Sequence, residues 1–218
     1  MSEAAPASVP TFTPSELVVL FGDRFAPEAG LLASKEEILT SGVKVNSEKL
    51  MNAAMKAALY AVHRSGAARL EVRAAKALFG LMNTRKVLLL QGSGSDSFPA
   101  GTLEAFLLEA AVAENPVQDA LKAFIGDEVM NPPQRALGLI KRGMSERGML
   151  EAEMKKALLV FSTVDYVLPA ATRMAAEAQP LEPVQQLLRE MEQREPQLDA
   201  AVQKEIDAAR VAMTESRD

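Results

Sequence analysis

The sequence predicts a mainly α fold: a compact helical domain carrying one or two small β-hairpins, in winged-helix-like helix–hairpin units. Three observations lead there. Apolar residues recur at three-and-four spacing along most of the chain. Capping signatures and glycines mark where those runs begin and end. Two stretches break the helical rhythm: one alternates apolar and polar residues, and the other is rich in β-branched residues.

Thr13-Pro14-Ser15-Glu16 reads as a capping box with proline at the first helical position, so Leu17 to Phe21 begins a short buried helix. Ser34-Lys35-Glu36-Glu37 reads as a second box, opening a short helix that Gly42 ends. Asn46 or Ser47 caps the next helix, whose Met51, Ala54, Met55, Ala58, Leu59 and Val62 share one face, and Gly66 stops it. Ala68 to Arg73 alternates as a half-buried strand does, with Val87 to Leu90 as its partner and Gly92 to Ser97 as a polar loop. Further helices are expected from about Thr102, from Asn115-Pro116 to Gly126, and from Asn131-Pro132 to Gly148. Their inward residues are Leu103, Phe106, Leu107 and Ala110, then Leu121, Phe124 and Ile125, then Ala136, Leu137, Ile140 and Met144. Ala157 to Leu168 reads as a hairpin or buried strand. Pro183 to Glu195 and Pro196 to Met213 are two amphipathic helices split by a proline. Tyr60 to Leu81 also echoes Arg142 to Thr163 at constant offset, pairing Gly66 with Gly148, and both copies read helix, glycine, extended segment.

Length and composition narrow the function classes. The 218 residues are 48% hydrophobic, enough for a buried core. No run approaches the roughly 18 apolar residues of a membrane span. Residues 1–13 have neither a basic start nor an apolar run and read as a disordered leader. With 0 Cys and 1 His, thiolate chemistry is excluded and a catalytic zinc site is disfavoured. His63 follows the core-facing Val62 and reads as a boundary residue. Gly92-Ser93-Gly94-Ser95-Asp96 lacks the Gly-Lys-Ser/Thr of a phosphate loop and reads as a flexible turn. No nucleophile elbow or carboxylate pair nominates an active site, so a non-enzyme is expected, with no cofactor and no metal.

The charge is uneven. Residues 1–176 hold 19 basic and 19 acidic groups, whereas residues 177–218 hold 5 basic and 10 acidic. Within the neutral body, residues 44–86 carry 9 basic groups against Glu48 and Glu71, a local +7. That segment reads either as a solvated face offset by acids elsewhere or as a surface for an anionic partner: lipid headgroups, or DNA gripped by a winged helix.

The motifs from Leu17 to Leu168 resemble the Golgi phosphoprotein 3 family, phosphatidylinositol-4-phosphate-binding proteins with bacterial relatives. The resemblance rests on Leu17-Val-Val-Leu-Phe-Gly-Asp-Arg with Gly30-Leu-Leu, on Thr40-Ser-Gly-Val-Lys44, and on the Ala57–Leu70 helix end. Leu81-Met-Asn-Thr-Arg-Lys-Val87, Ser95-Asp96 with the Leu103 helix, Ser145-Glu-Arg-Gly-Met-Leu150 and Ala157-Leu-Leu-Val-Phe161 complete it. It implies a compact helical fold with protruding apolar hairpins, peripheral membrane binding through the lipid phosphate, and an adaptor role. The family's headgroup tryptophan falls near Lys35, in a chain with 0 Trp. One of its arginines falls on Lys44 and two more on Gln134 and Leu137, with Arg135 adjacent.

The expectation is therefore a leader over 1–13, a family-like helical domain over 14–178, and acidic C-terminal helices over 179–218 packed on or extending from it. The protein is expected to be cytoplasmic, with a membrane periphery as the further option, and non-catalytic. Its expected partner is an anionic lipid headgroup or membrane surface, met by Lys35, Lys44, Lys49, Arg85, Lys86 and Arg135. Leu158, Val160, Phe161, Val164, Tyr166 and Val167 form the membrane or oligomer hairpin. Protein partners and a homo-oligomer are further options. The alternatives are a protein-interaction scaffold and, less favoured, a winged-helix DNA binder.

Overall fold

The computed structural model describes residues 11–77, 82–127, 129–157 and 161–215. Within them are eight α-helices and three two-stranded antiparallel sheets, so the chain is mainly α with small hairpins. Helix α1 (Pro14–Leu20) starts at the predicted box, where the Thr13 N–H donates to Glu16 Oε2 at 2.9 Å. Helix α2 (Ser47–Arg64) is capped by Asn46, whose Oδ1 accepts from the Lys49 N–H at 3.0 Å. Thr102 likewise caps α3 (Leu103–Val112). Helix α4 (Val117–Ile125) follows Pro116, and α5 (Pro132–Glu146) is capped by Asn131. Each cap satisfies one N–H that has no partner inside its helix.

Helix α2 is the centre of the molecule, buried along most of its length and packed by α1, α3, α5, α7 (Glu182–Arg194) and α8 (Pro196–Glu215). Helix α6 (Ala170–Glu177) precedes these last two. Val184, Met191, Leu198, Val202, Ile206 and Met213 of α7 and α8 belong to the same core as Met55 and Leu59. Helix α8 runs antiparallel to α2, as paired side chains record. Lys56 Nζ meets Asp199 Oδ1 at 2.8 Å, Tyr60 donates to the same oxygen at 2.5 Å, and Arg210 lies 3.5 Å from Glu48. Burial and the adjacent Asp199 push the Tyr60 phenol far above its ordinary pKa, so it stays a donor. The acidic surplus of the chain end thus folds back on the basic helix, and Glu190 of α7 pairs with Arg64 in the same way.

Two buried carboxylates tie helices together. Glu104 on α3 accepts from the Ser15 N–H at 2.8 Å and the Ser15 hydroxyl at 2.9 Å. Glu16 pairs with Arg147 beyond α5. Burial raises the pKa of both.

The sheets are β1 (Lys35–Glu37) with β2 (Lys44–Asn46), β3 (Ala68–Ala77) with β4 (Met82–Gln91), and β5 (Glu151–Ala157) with β6 (Phe161–Val167). The repeated rhythm read from the sequence corresponds to two real units, α2–Gly66–β3–β4 and α5–Gly148–β5–β6. Both glycines sit at φ +74°, the left-handed region that ends a helix cheaply only without a Cβ.

Several expectations need correction. Residues 34–42 form no helix. Lys35–Glu37 is a strand, and Gly42 (φ +72°) serves a turn in which the Ile38 N–H donates to the Val43 carbonyl at 2.9 Å. Cross-strand pairing, the Ile38 side chain in the core and a Glu36–Lys141 ion pair outweigh the local capping signal. The leader falls mostly on residues 1–10, outside the described residues, but Phe12 and Thr13 are buried in the body. Helix α6 had no counterpart in the sequence reading, because its buried stripe is only Thr172 and Ala176. The glycines of the 92–96 loop serve close packing. A Cβ on Gly92 would come within 2.0 Å of the Gly66 carbonyl oxygen, and the Gly94 N–H donates to that oxygen at 2.8 Å.

Candidate functional site

The predicted cations fall on two parts of the fold. In the β1–β2 ladder Lys35 pairs with Asn46 and Glu37 with Lys44. Residues directly opposite share a face, and so do residues two apart along a strand. Lys35, Glu37, Lys44 and Asn46 therefore line one face, which is the outer one. The inner face carries Val45, wholly buried, and Glu36, whose carboxylate meets Lys141 of α5. The 38–43 turn is held as well: Arg173 of α6 donates to the Thr40 and Leu39 carbonyls, the latter at 2.9 Å.

The start of α5 abuts this hairpin. Asn131 Nδ2 donates to Ser34 Oγ at 3.3 Å, and Gln134 Nε2 donates to the Lys35 carbonyl at 3.3 Å. Arg135, next in the chain, is exposed, as is Lys49 in the first turn of α2. Lys35, Lys44, Lys49 and Arg135 thus border one corner built from β1, β2 and two helix starts. Lys44 lies 3.7 Å from Glu37 with both side chains largely exposed, a pairing worth little in water. Among the described residues no carboxylate comes within ion-pair distance of Lys35, Lys49 or Arg135.

Arg85 and Lys86 lie elsewhere, exposed on β4, which packs chiefly on α3, α4 and α8. The Lys86 charge faces Glu205 of α8, and burial raises the pKa of that carboxyl. Four more cations of the basic segment have acidic partners. Lys56 and Arg64 are occupied by α8 and α7, and Arg69 and Arg73 both meet Glu71. Helix α2 consequently has no continuous cationic face to lay in a DNA groove.

The corner is an exposed charged surface. Leu137 is wholly buried, so that position presents nothing to a ligand. Pro132 and Pro133 open α5 without N–H groups, and Asn131 takes the Gln134 N–H, which leaves a poor cradle for phosphate. A cleft of about 520 Å³ lies away from the corner, lined by Arg64, Phe98, Leu187 and Glu190 among others.

On the β5–β6 hairpin, Met154 pairs directly with Val164, and they are 78% and 48% exposed. Val167 is exposed too, so these residues are not core. Tyr166 is partly buried against the core, its phenol pKa raised first by burial. The backbone of Phe161 lies in β6, while Leu158 and Val160 lie outside the described residues. His63 is half-buried, and its Nδ1 accepts from the Leu70 N–H at 3.3 Å, fastening α2 to β3. Among the described residues no acidic or histidine cluster could hold a metal ion, and no helix is long and apolar enough to cross a membrane.

No protein-family model matches the chain, and no curated protein matches it either.

Proposed function

We propose that this chain is a non-catalytic peripheral membrane or adaptor protein that engages anionic, phosphoinositide-like lipid surfaces through the corner of β1, β2 and the starts of α2 and α5. The carrying observation is the outer face of β1–β2, which presents Lys35 and Lys44 while its inner face is bolted to α5 by Glu36 and Lys141. Lys49 and Arg135 extend that face. The ordered resemblance to the Golgi phosphoprotein 3 family supports the reading and suggests a cytoplasmic leaflet as the surface met. The missing tryptophan, Gln134 and Leu137 favour charge-driven, salt-sensitive attraction over a stereospecific headgroup pocket.

The test is sedimentation with vesicles of phosphatidylcholine alone, with added phosphatidylserine, or with added phosphatidylinositol 4-phosphate. Anionic vesicles should retain the protein at low salt. The Lys35→Glu/Lys44→Glu double variant should weaken retention by more than about tenfold, given roughly 1 kcal/mol for each cation at such a surface. Indifference to lipid charge would end this reading. The protein-interaction scaffold would then be favoured, with the exposed Met154–Val164 pair as its contact.

A further inference from the structure

A second feature of the same corner concerns the loop that leads into β1. Its two ends are pinned. The Pro27 carbonyl accepts from the Asn46 N–H at 3.0 Å, the Ala29 N–H donates to the Lys44 carbonyl at 2.9 Å, and the Ser34 carbonyl accepts from the Ser47 N–H at 3.0 Å. Between these anchors the Ala33 N–H closes a turn onto the Gly30 carbonyl at 3.3 Å, with Leu31 and Leu32 at its two central positions. Leu31 is 95% exposed and Leu32 fully so. Tight turns ordinarily place Pro, Gly, Asn, Asp or Ser there, each for a backbone reason that leucine does not meet. Scattered exposed leucines are unremarkable on protein surfaces, but two adjacent ones on the crest of an anchored turn are not scattered. A third large apolar side chain, Met130, is 81% exposed, one residue before the Asn131 that donates to Ser34.

The rim of this crest is charged. Lys35 follows the turn, Lys44 holds its first arm through the backbone, and Lys49 and Arg135 flank it. The acids near the rim, among the described residues, are Glu28, Glu37 facing Lys44, Glu48 beside Arg210 and, toward Met130, Asp127 paired with Lys122. An apolar tip flanked by Lys35, Lys49 and Arg135, which have no ion-pair partner among the described residues, is complementary to an anionic bilayer, whose phosphates meet the cations while the tip enters the acyl region.

We infer that Leu31 and Leu32, with Met130 beside them, form an insertion element that enters the hydrocarbon of an anionic bilayer. The inference rests on the proposed membrane reading and adds depth of entry to it. Because the chain has 0 Cys, Leu31→Cys supplies a unique site for an environment-sensitive nitrobenzoxadiazole label, with Gln193→Cys, exposed in α7 near the far end of α2, as a second labelled position for comparison. With phosphatidylserine-containing vesicles the label at 31 should shift to the blue and be quenched by brominated acyl chains, while the label at 193 should not. The unlabelled Leu31→Ser/Leu32→Ser variant should keep its urea midpoint and lose vesicle affinity at least about tenfold. Retention on vesicles with no quenching at 31 would overturn insertion and leave surface binding standing. No retention on any vesicle would overturn both readings. A blue shift at 31 that grows with protein concentration in the absence of lipid would assign the tip to a second copy of this chain and overturn insertion.

Discussion

In the unit α2–Gly66–β3–β4 the base of the hairpin is covered: Leu70, Val87, Leu89 and Leu90 are buried, only Val72 among its described large apolar residues is exposed, and α8 packs on both strands. In α5–Gly148–β5–β6 the same succession of helix, left-handed glycine and hairpin leaves Met154 and Val164 in solvent. The two turns share one conformation, so the difference arises beyond them. The first hairpin is gripped by Glu205 of α8, whose carboxylate accepts from the Val87 N–H at 3.3 Å and from the Gln118 N–H at 3.2 Å. It is also wedged at its base, where Gly92 and Gly94 let the outgoing loop lie on Gly66. The lesson is that a shared local rhythm specifies the hairpin, and the element that covers it decides whether its apolar residues become core or surface.

The sharpest way to break this comparison is Gly92→Ala. A Cβ there would meet backbone at 2.0 Å, which no rotamer can relieve, so a loss of about 3 kcal/mol in urea unfolding is expected. Next is Glu205→Ala, which strands a buried backbone N–H in β4 and another at the start of α4. A loss of about 2 kcal/mol is expected by the same measurement.

The pH dependence of Glu205 has a definite sign. Burial raises its pKa above the unfolded value of 4.5, so the native state binds more protons and stability falls as pH rises from 4.5 through the folded pKa. Glu16 and Glu104 act in the same direction, whereas Glu71 and Glu190, lowered first by their bonds to Arg73 and Arg64, act below 4.5. Melting temperature should therefore decline from mildly acid pH toward neutral, and less steeply in Glu205→Ala.

Gly66→Ala and Gly148→Ala sharpen the comparison from the other side. Both positions have φ +74° and no close contact for a Cβ, so each should lose about 1–2 kcal/mol, and the two losses should match. The smallest effect belongs to the uncovered hairpin: Val164→Ser should change the free energy of urea unfolding by less than about 0.5 kcal/mol.

Much of the fold was legible because its signals are local. The Thr13 box, the Asn46, Thr102 and Asn131 caps, and the left-handed glycines at 66 and 148 each act within one turn of chain, and each appears where the residues place it. The site was less legible. Lys35 and Lys44 were readable as cations, but their common outer face depends on a strand that the Ser34–Glu37 pattern disguised as a helix start. The exposed Leu31–Leu32 turn gave no periodic signal, since two leucines in a row are as easily read as core.

By itself, then, the sequence determined a mainly α chain, the capped starts of α1, α2, α3 and α5, the repeated helix–glycine–extended rhythm, and a basic middle set against an acidic end. Each follows from forces that act over a few residues or from composition. Only the tertiary structure decided where the acids went. Asp199, Glu190 and Glu205 return across more than 100 residues to hold Lys56, Arg64 and the Val87 N–H, so the charges of Lys56 and Arg64 are met by acids from the chain end. It also decided which hairpin is covered and which corner keeps its cations, because burial and charge pairing depend on neighbours that chain order does not reveal.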